Sequence, residues 1–136
     1  MNDNLTRAHE YLAALENHVD RDTLAGFFAE DVIQEEFPNR LTPHGATRDL
    51  AAILDGHERG KQLLAGQRYD IANTLVAGDQ VVLEVHWSGT LAHAAGSLPA
   101  GYVMRARFAT FLHFRDGKII AQRNYDCFEP WPQEDE

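Results

Sequence analysis

The chain has 136 residues, of which 44% are hydrophobic, and it carries a formal net charge of −9. This length predicts one domain over residues 1–136 with a real hydrophobic core, and the acidic segment 129–136 is expected to be a flexible tail. The negative charge argues against a nucleic-acid or anionic-membrane partner, because both require a basic surface. No apolar run approaches the roughly 18 residues of a membrane-spanning helix. The single cysteine, Cys127, excludes an internal disulfide and predicts a cytoplasmic protein.

The first half of the chain is predicted to be mainly helical. Residues 3–19 place apolar side chains at three- and four-residue spacing on one helix face: Leu5, Ala8, Leu12, Leu15 and Val19. Asp20 is a suitable N-cap for a second, short helix over 21–29, and Thr47 for a third helix. These patterns predict three helices with their apolar faces turned to a common core.

The strand pattern begins with the short run 32–37, which is followed by proline, and dominates after Gly66. Alternation of apolar and polar residues predicts long strands over 67–77, 80–91, 102–114 and 118–128. The last two strands are joined by "RDGK", in which Asp-Gly suits a tight hairpin. The order predicts an α+β domain, with three N-terminal helices packed on one face of a curved antiparallel sheet.

Two adjacent glutamates, Glu35 and Glu36, occupy the end of the short strand 32–37. Neighbouring residues of a strand point to opposite faces, so only one of the two carboxylates can face the interior. A carboxylate in an apolar interior has its pKa raised by desolvation and can exchange protons with a carbon acid near neutral pH.

Two segments, "EYLAALENHVDRDTLAGFFAEDVIQEEFP" and "FLHFRDGKIIAQRNYD", resemble the nuclear transport factor 2-like superfamily, which includes ketosteroid isomerases and SnoaL-like polyketide cyclases. The resemblance covers nearly the whole chain and implies a cone-shaped fold with a pocket between helices and sheet. It identifies the fold better than the reaction, because this scaffold hosts isomerases, cyclases, dehydratases, hydrolases and proteins without activity. The implied chemistry needs no cofactor.

The isomerase pattern assigns expected roles to three residues. Glu36 matches the general-base carboxylate, which leaves Glu35 facing away, and Tyr11 matches the tyrosine that donates a hydrogen bond to the developing oxyanion. Thr110 stands where those isomerases keep a protonated aspartate, a departure that argues against steroid isomerisation itself. The base role of Glu36 further requires that no cation neutralises it. The alternative for Glu36 is a solvated strand end, and for Tyr11 a core tyrosine.

Asp126 is the second carboxylate of interest, since SnoaL-like cyclases keep a catalytic aspartate near the end of this strand. Alternation groups it with Gln122 and Asn124, which the isomerase pattern places on the cavity side. A slip of one residue in register instead turns Cys127 inward and Asp126 outward. The alternative for Asp126 is a solvated or ion-paired acid.

The strand 80–91 has an apolar face from Val81 to Trp87 and a polar face that carries Glu84 and His86. One interpretation packs the apolar face under the helices and leaves the polar face in water. The isomerase pattern implies the reverse, with Glu84 and His86 as substrate-binding residues opposite an apolar wall that includes Phe108. None of the seven histidines shows zinc-type spacing, so no metal site is predicted.

Three functions remain open at this point. The first is a cofactor-independent enzyme that abstracts a proton next to the carbonyl of a small hydrophobic molecule. The second is a protein that binds such a molecule without turnover and holds its carboxylates in ion pairs. The third is an assembly subunit whose cavity is filled by aromatic side chains. A homodimer through the sheet face is expected with the first two as well, since so apolar a sheet is poorly suited to water on both faces.

Overall fold

The computed structural model of the protein describes residues 3–132. Three helices are present: α1 (Asp3–Glu16), α2 (Arg21–Ala25) and α3 (Leu50–Leu63). Six strands form one sheet: β1 (Phe28–Glu36), β2 (Ala46–Arg48), β3 (Leu64–Ala77), β4 (Gln80–Leu91), β5 (Val103–Arg115) and β6 (Lys118–Phe128).

The strands lie in the order β2-β1-β6-β5-β4-β3. Only β1 and β6 run parallel; each other neighbouring pair is antiparallel. The predicted α+β class is therefore correct, and the curved sheet is mixed. Helices α1 and α3 lie against the sheet, α1 on β3 and β4, and α3 on β1 and β3.

The helices and the first strands differ from the prediction at their ends. Helix α2 is one turn, capped by Asp20 as expected, and β1 begins at Phe28 because that residue already pairs with Ile119 of β6. The predicted cap at Thr47 is wrong: Thr47 lies in β2, and Asp49 caps α3 by accepting a hydrogen bond from the Ala52 N–H at 2.9 Å. Strand β2 was not predicted, since three residues carry no periodic pattern.

The register of β4 and β5 decides which face of the sheet is inside. Directly opposite residues of an antiparallel pair share a face, and here Val85 is opposite Phe108 and Trp87 opposite Ala106. The apolar sides of both strands therefore pack under the helices. The expectation that Glu84 and His86 line the cavity is wrong, because both lie on the outer face and are exposed.

The start of the predicted tail is packed against the sheet. The Glu129 N–H donates a hydrogen bond to the Arg105 carbonyl at 2.9 Å, and the Trp131 ring contacts the rings of Tyr102 and Phe128. Residues 133–136 of that predicted tail lie outside the described range. Between residues 3 and 132, no helix is long and apolar enough to cross a membrane.

Candidate functional site

A pocket of about 830 Å³ lies between the helices and the inner face of the sheet. That volume is within the range typical of small-molecule sites. Its apolar walls come from both layers: Leu12, Leu24, Ile53, Trp87, Met104 and Phe108. The aromatic side chains of Trp87 and Phe108 stack at 5.3 Å and line the pocket without filling it, which disfavours the assembly-subunit interpretation.

The structure gathers most of the predicted site residues around this pocket. Those that line it are Tyr11, Glu36, Phe108, Thr110, Gln122, Asn124 and Asp126. Glu84 and His86 lie on the opposite face of the sheet, as the register above requires. The polar residues of the pocket come chiefly from β1, β6 and α3, and the α3 residues are His57, Arg59, Lys61 and Gln62.

Asp126 projects into the pocket from β6, two residues after Asn124 on the same face. Cys127 is an exposed free thiol on the other face, so the inward register is that of Asp126 and the alternative register, with Cys127 inside, is wrong. Burial raises the pKa of Asp126 to about 7, with a further increase from the negative charge of Glu36 and an opposing effect of Arg48. In residues 3–132, no cation forms an ion pair with this carboxylate.

Glu36 also faces the pocket, while Glu35 is exposed on the outer side, as alternation predicts. The expectation of an unneutralised acid is wrong for Glu36: its Oε1 lies 2.9 Å from Arg48 Nη1. Its Oε2 accepts a hydrogen bond of 2.7 Å from Asn39 Nδ2. Both carboxylate oxygens are thus occupied by donors from the protein.

The loop between β1 and β2 holds this ion pair in place. The Asn39 side-chain oxygen accepts hydrogen bonds from the backbone N–H groups of Leu41 and Thr42, which closes the turn. Gly45 has φ +69°, and a Cβ there would lie 2.7 Å from the Glu36 carbonyl oxygen. The sequence folds locally this way because glycine permits β2 to return close beside β1, which delivers Arg48 to the pocket.

A chain of side-chain amides crosses the pocket floor. Gln122 Oε1 accepts hydrogen bonds from the Tyr11 hydroxyl at 3.1 Å and from Gln34 Nε2 at 3.2 Å. Gln34 Oε1 accepts from Arg48 Nη1 at 3.3 Å, and Gln122 Nε2 donates to Asn124 Oδ1 at 3.0 Å. Burial raises the pKa of Tyr11 to about 12, so its hydroxyl remains a neutral donor. In this structure the Tyr11 hydroxyl donates to Gln122.

The pocket residues that sequence reasoning missed include Gln34, Arg48 and Tyr69, which lie close to the two acids. Alternation from Glu36 places Gln34 on the same face, so that signal was present. Arg48 depended on a strand too short to recognise. Tyr69 is near Asp126, and burial raises its pKa well above the usual range, so it too is a neutral phenol beside the carboxylate.

A curved mixed sheet with a helical cover and a pocket on its inner face defines the nuclear transport factor 2-like class of α+β domains. The chain belongs to the SnoaL-like domain family, whose profile matches residues 8–122. No curated protein matches the sequence.

Solved structures share the fold at low sequence identity. IdmH from Streptomyces antibioticus, a candidate polyketide cyclase, is 18% identical with a TM-score of 0.77, covering 92% of each chain. AclR from Streptomyces galilaeus, a candidate hydroxylase, is 16% identical with a TM-score of 0.77, over 93% of this chain and 80% of that one. An epoxide hydrolase from M. tuberculosis is 17% identical with a TM-score of 0.72, over 93% and 83%. These likenesses show the fold alone, a fold that small-molecule enzymes use.

Proposed function

We propose that the protein is a cofactor-independent enzyme that transfers a proton at the carbon next to the carbonyl of a small hydrophobic molecule. The observation that carries this proposal is Asp126: a carboxyl group in an apolar pocket, with no ion-pair partner among residues 3–132 and a pKa near neutrality. A base with a pKa near the working pH combines the correct protonation state with useful proton affinity. Isomerisation, cyclisation and dehydration all begin from such a proton transfer.

The proposed step uses Asp126 as the base. The ionised carboxylate takes the proton from the carbon, the electron pair of that C–H bond becomes the enolate, and the charge moves to the carbonyl oxygen. The protonated Asp126 then returns the proton to another carbon or to a leaving group. The apolar side chains of Trp87, Met104 and Phe108 lower the polarity around the enolate, which strengthens each polar contact to it.

Glu36 has a different role in this proposal from the one predicted for it. Because Arg48 and Asn39 occupy its two oxygens, Glu36 is a poor base. It holds Arg48 at the pocket wall, where the guanidinium contributes positive potential toward a developing oxyanion.

The ion pair of Glu36 with Arg48 is also what a non-catalytic binding protein with this fold was expected to show. In that alternative the pocket holds the same small hydrophobic ligand, and Asp126 donates a hydrogen bond without transferring a proton to carbon. The two functions differ in one measurable respect, which is exchange at the carbon.

The test is deuterium exchange into a compact fused-ring ketone, such as β-tetralone, in the presence of the protein in heavy water. We expect catalysed exchange that rises with pH through about 7 and falls by about 100-fold or more in Asp126→Asn. The matched control is Asp79→Asn, an exposed carboxylate in the β3–β4 turn. Binding of the ketone without faster exchange supports the binding protein and rejects the enzyme.

We further propose a homodimer through the outer face of the sheet. Phe37 and Tyr125 stack there with ring centres 4.6 Å apart, Phe111 lies against Tyr125 at 5.6 Å, and Ile33 is 47% exposed. An exposed cluster of aromatic and aliphatic side chains of this kind is costly to leave in water.

A further inference from the structure

We infer that Asn124 is the hydrogen-bond donor to the oxyanion of the substrate, a role that the isomerase resemblance had given to Tyr11. The inference rests on the proposed function, since it names the group that stabilises the enolate formed by Asp126. It is carried by the direction of the amide chain on the pocket floor.

The direction of that chain is set at one end by Arg48. A guanidinium has only donors, so the atom of Gln34 that faces Arg48 must be its oxygen, at 3.3 Å. The amide nitrogen of Gln34 then faces Gln122, which must answer with its oxygen, at 3.2 Å. The Gln122 nitrogen therefore faces Asn124 and meets its oxygen, at 3.0 Å.

The same direction is supported independently at Gln122. Its oxygen also accepts from the Tyr11 hydroxyl at 3.1 Å, so two donors meet one acceptor. Reversing any amide in the chain sets a donor against a donor. Gln34 and Gln122 are 8% and 4% exposed, so water has little access to repair such a conflict.

Of the three side-chain amides, only that of Asn124 has a polar group without a hydrogen-bond partner in the described residues. The Asn124 oxygen is used by Gln122, and its Nδ2 has no acceptor within the described part of the chain, although the residue lines the pocket. Asn124 and Asp126 are two apart on the same strand face, roughly 6.6 Å along the strand. The pocket thus presents a fixed N–H donor beside the proton-transferring carboxyl, a spacing that suits a carbonyl oxygen and its neighbouring carbon.

This arrangement distinguishes Asn124 from Tyr11. The Tyr11 hydroxyl already donates to Gln122, and the residue is 2% exposed. Its role is therefore to fix the orientation of the Gln122 amide. A preorganised donor stabilises the oxyanion most when it does not first have to break a hydrogen bond within the protein.

The test uses 3,4-dinitrophenol, whose phenolate oxygen imitates an enolate oxygen, and 3,4-dinitroanisole, its uncharged methyl ether. It is run at about pH 6, where this phenol is largely ionised while Asp126, with a pKa of about 7, keeps its proton as it does beside the enolate. In the wild-type protein we expect tighter binding of the phenolate than of the ether. We also expect the Asn124 side-chain amide signals to shift on phenolate binding, as measured by ¹⁵N NMR.

Asn124→Ala should weaken phenolate binding by about 10-fold to 100-fold and leave binding of the ether unchanged. Asn124→Asp keeps the bond from Gln122, replaces the pocket-side donor by an acceptor and adds a negative charge, so it should weaken phenolate binding more than Asn124→Ala does. Asn73→Asp, an exposed asparagine on β3, is the control.

Three results would overturn the inference. The first is an unchanged preference for the phenolate in both Asn124 variants, and the second is a wild-type protein that shows no such preference. The third is a phenolate that shifts the Trp87 side-chain signal but not the Asn124 amide signals. This failure is separate from failure of the proposed function. Asp126→Asn could leave deuterium exchange at carbon unaffected while the Asn124 variants bind the phenolate more weakly. That result would support Asn124 as the hydrogen-bond donor and reject Asp126 as the base.

Discussion

Arg48 Nη1 lies 2.9 Å from Glu36 Oε1, and this ion pair fixes the shortest strand of the sheet, β2, to the pocket wall. The two side chains are 22% and 14% exposed, so the contact is only weakly screened by solvent. Its charges act in opposite directions on Asp126: Glu36 raises the pKa of that carboxyl and Arg48 lowers it. The protonation of the proposed base is therefore adjusted by a pair of residues on the two strands next to its own, β1 and β2.

Neutralising either member of the pair should move the pKa of Asp126 in a predictable direction. Glu36→Gln removes a negative charge and should lower that pKa, whereas Arg48→Gln removes a positive charge and should raise it. Titration of the Asp126 carboxyl carbon by ¹³C NMR measures both shifts. Arg115→Gln breaks the exposed pair with Asp31 and serves as the control, for which we expect no shift. Shifts of the same sign in the two pocket variants contradict the electrostatic account.

The buried Asp126 carboxyl should make the wild-type protein less stable as the pH rises. Below about pH 4 the group is protonated in both states. Between that value and the folded pKa of about 7, the unfolded chain releases the proton while the folded chain keeps it, so stability is lost through this window. Above it the loss is complete.

Asp126→Asn does not titrate and should escape that loss. We expect the variant to exceed the wild type by about 1 to 3 kcal/mol near pH 8, with the difference vanishing near pH 4. Urea unfolding at both pH values measures it, with Asp79→Asn as the exposed control. A difference that does not depend on pH shows that packing, not charge burial, distinguishes the two proteins.

Gly45 should be intolerant of a side chain. Alanine there combines a φ of +69° with a Cβ 2.7 Å from the Glu36 carbonyl oxygen, so we expect Gly45→Ala to cost about 1 to 3 kcal/mol of unfolding free energy. The matched control is Gly60→Ala in α3, where a Cβ meets nothing within 4 Å and alanine favours the helix by about 1 kcal/mol. Chemical denaturation gives both values. Equal effects in the two variants exclude close approach at Gly45 as the cause.

The proposed dimer should depend on the outer aromatic surface. Tyr125 is 43% exposed and stacks on Phe37, so Tyr125→Asp should convert a wild-type dimer to a monomer without loss of fold. Light scattering coupled to size-exclusion chromatography measures the mass, and circular dichroism checks the fold. Leu41→Asp, 50% exposed at the pocket, is the control that should remain dimeric. A monomeric wild type at micromolar concentration rejects the interface.

The alternation of apolar and polar residues was sufficient to locate the long strands. Alternation over 80–91 and 118–128 matched β4 and β6 at both ends, and the resemblance to ketosteroid isomerases and SnoaL-like cyclases pointed to Glu36 and Asp126 as pocket acids. Local periodicity reports which side chains share a face, because it depends only on backbone geometry within one element.

What only the tertiary structure decided is which face is inside and which charges meet. The register of β4 against β5 turned Glu84 and His86 outward, and the return of β2 beside β1 brought Arg48 to Glu36. Both facts are pairings between residues distant along the chain, which local pattern does not encode. The sequence by itself therefore determined the class of fold and the presence of acids at the pocket, whereas long-range pairing decided that Glu36 is neutralised and that Asp126 is the carboxyl without an ion pair.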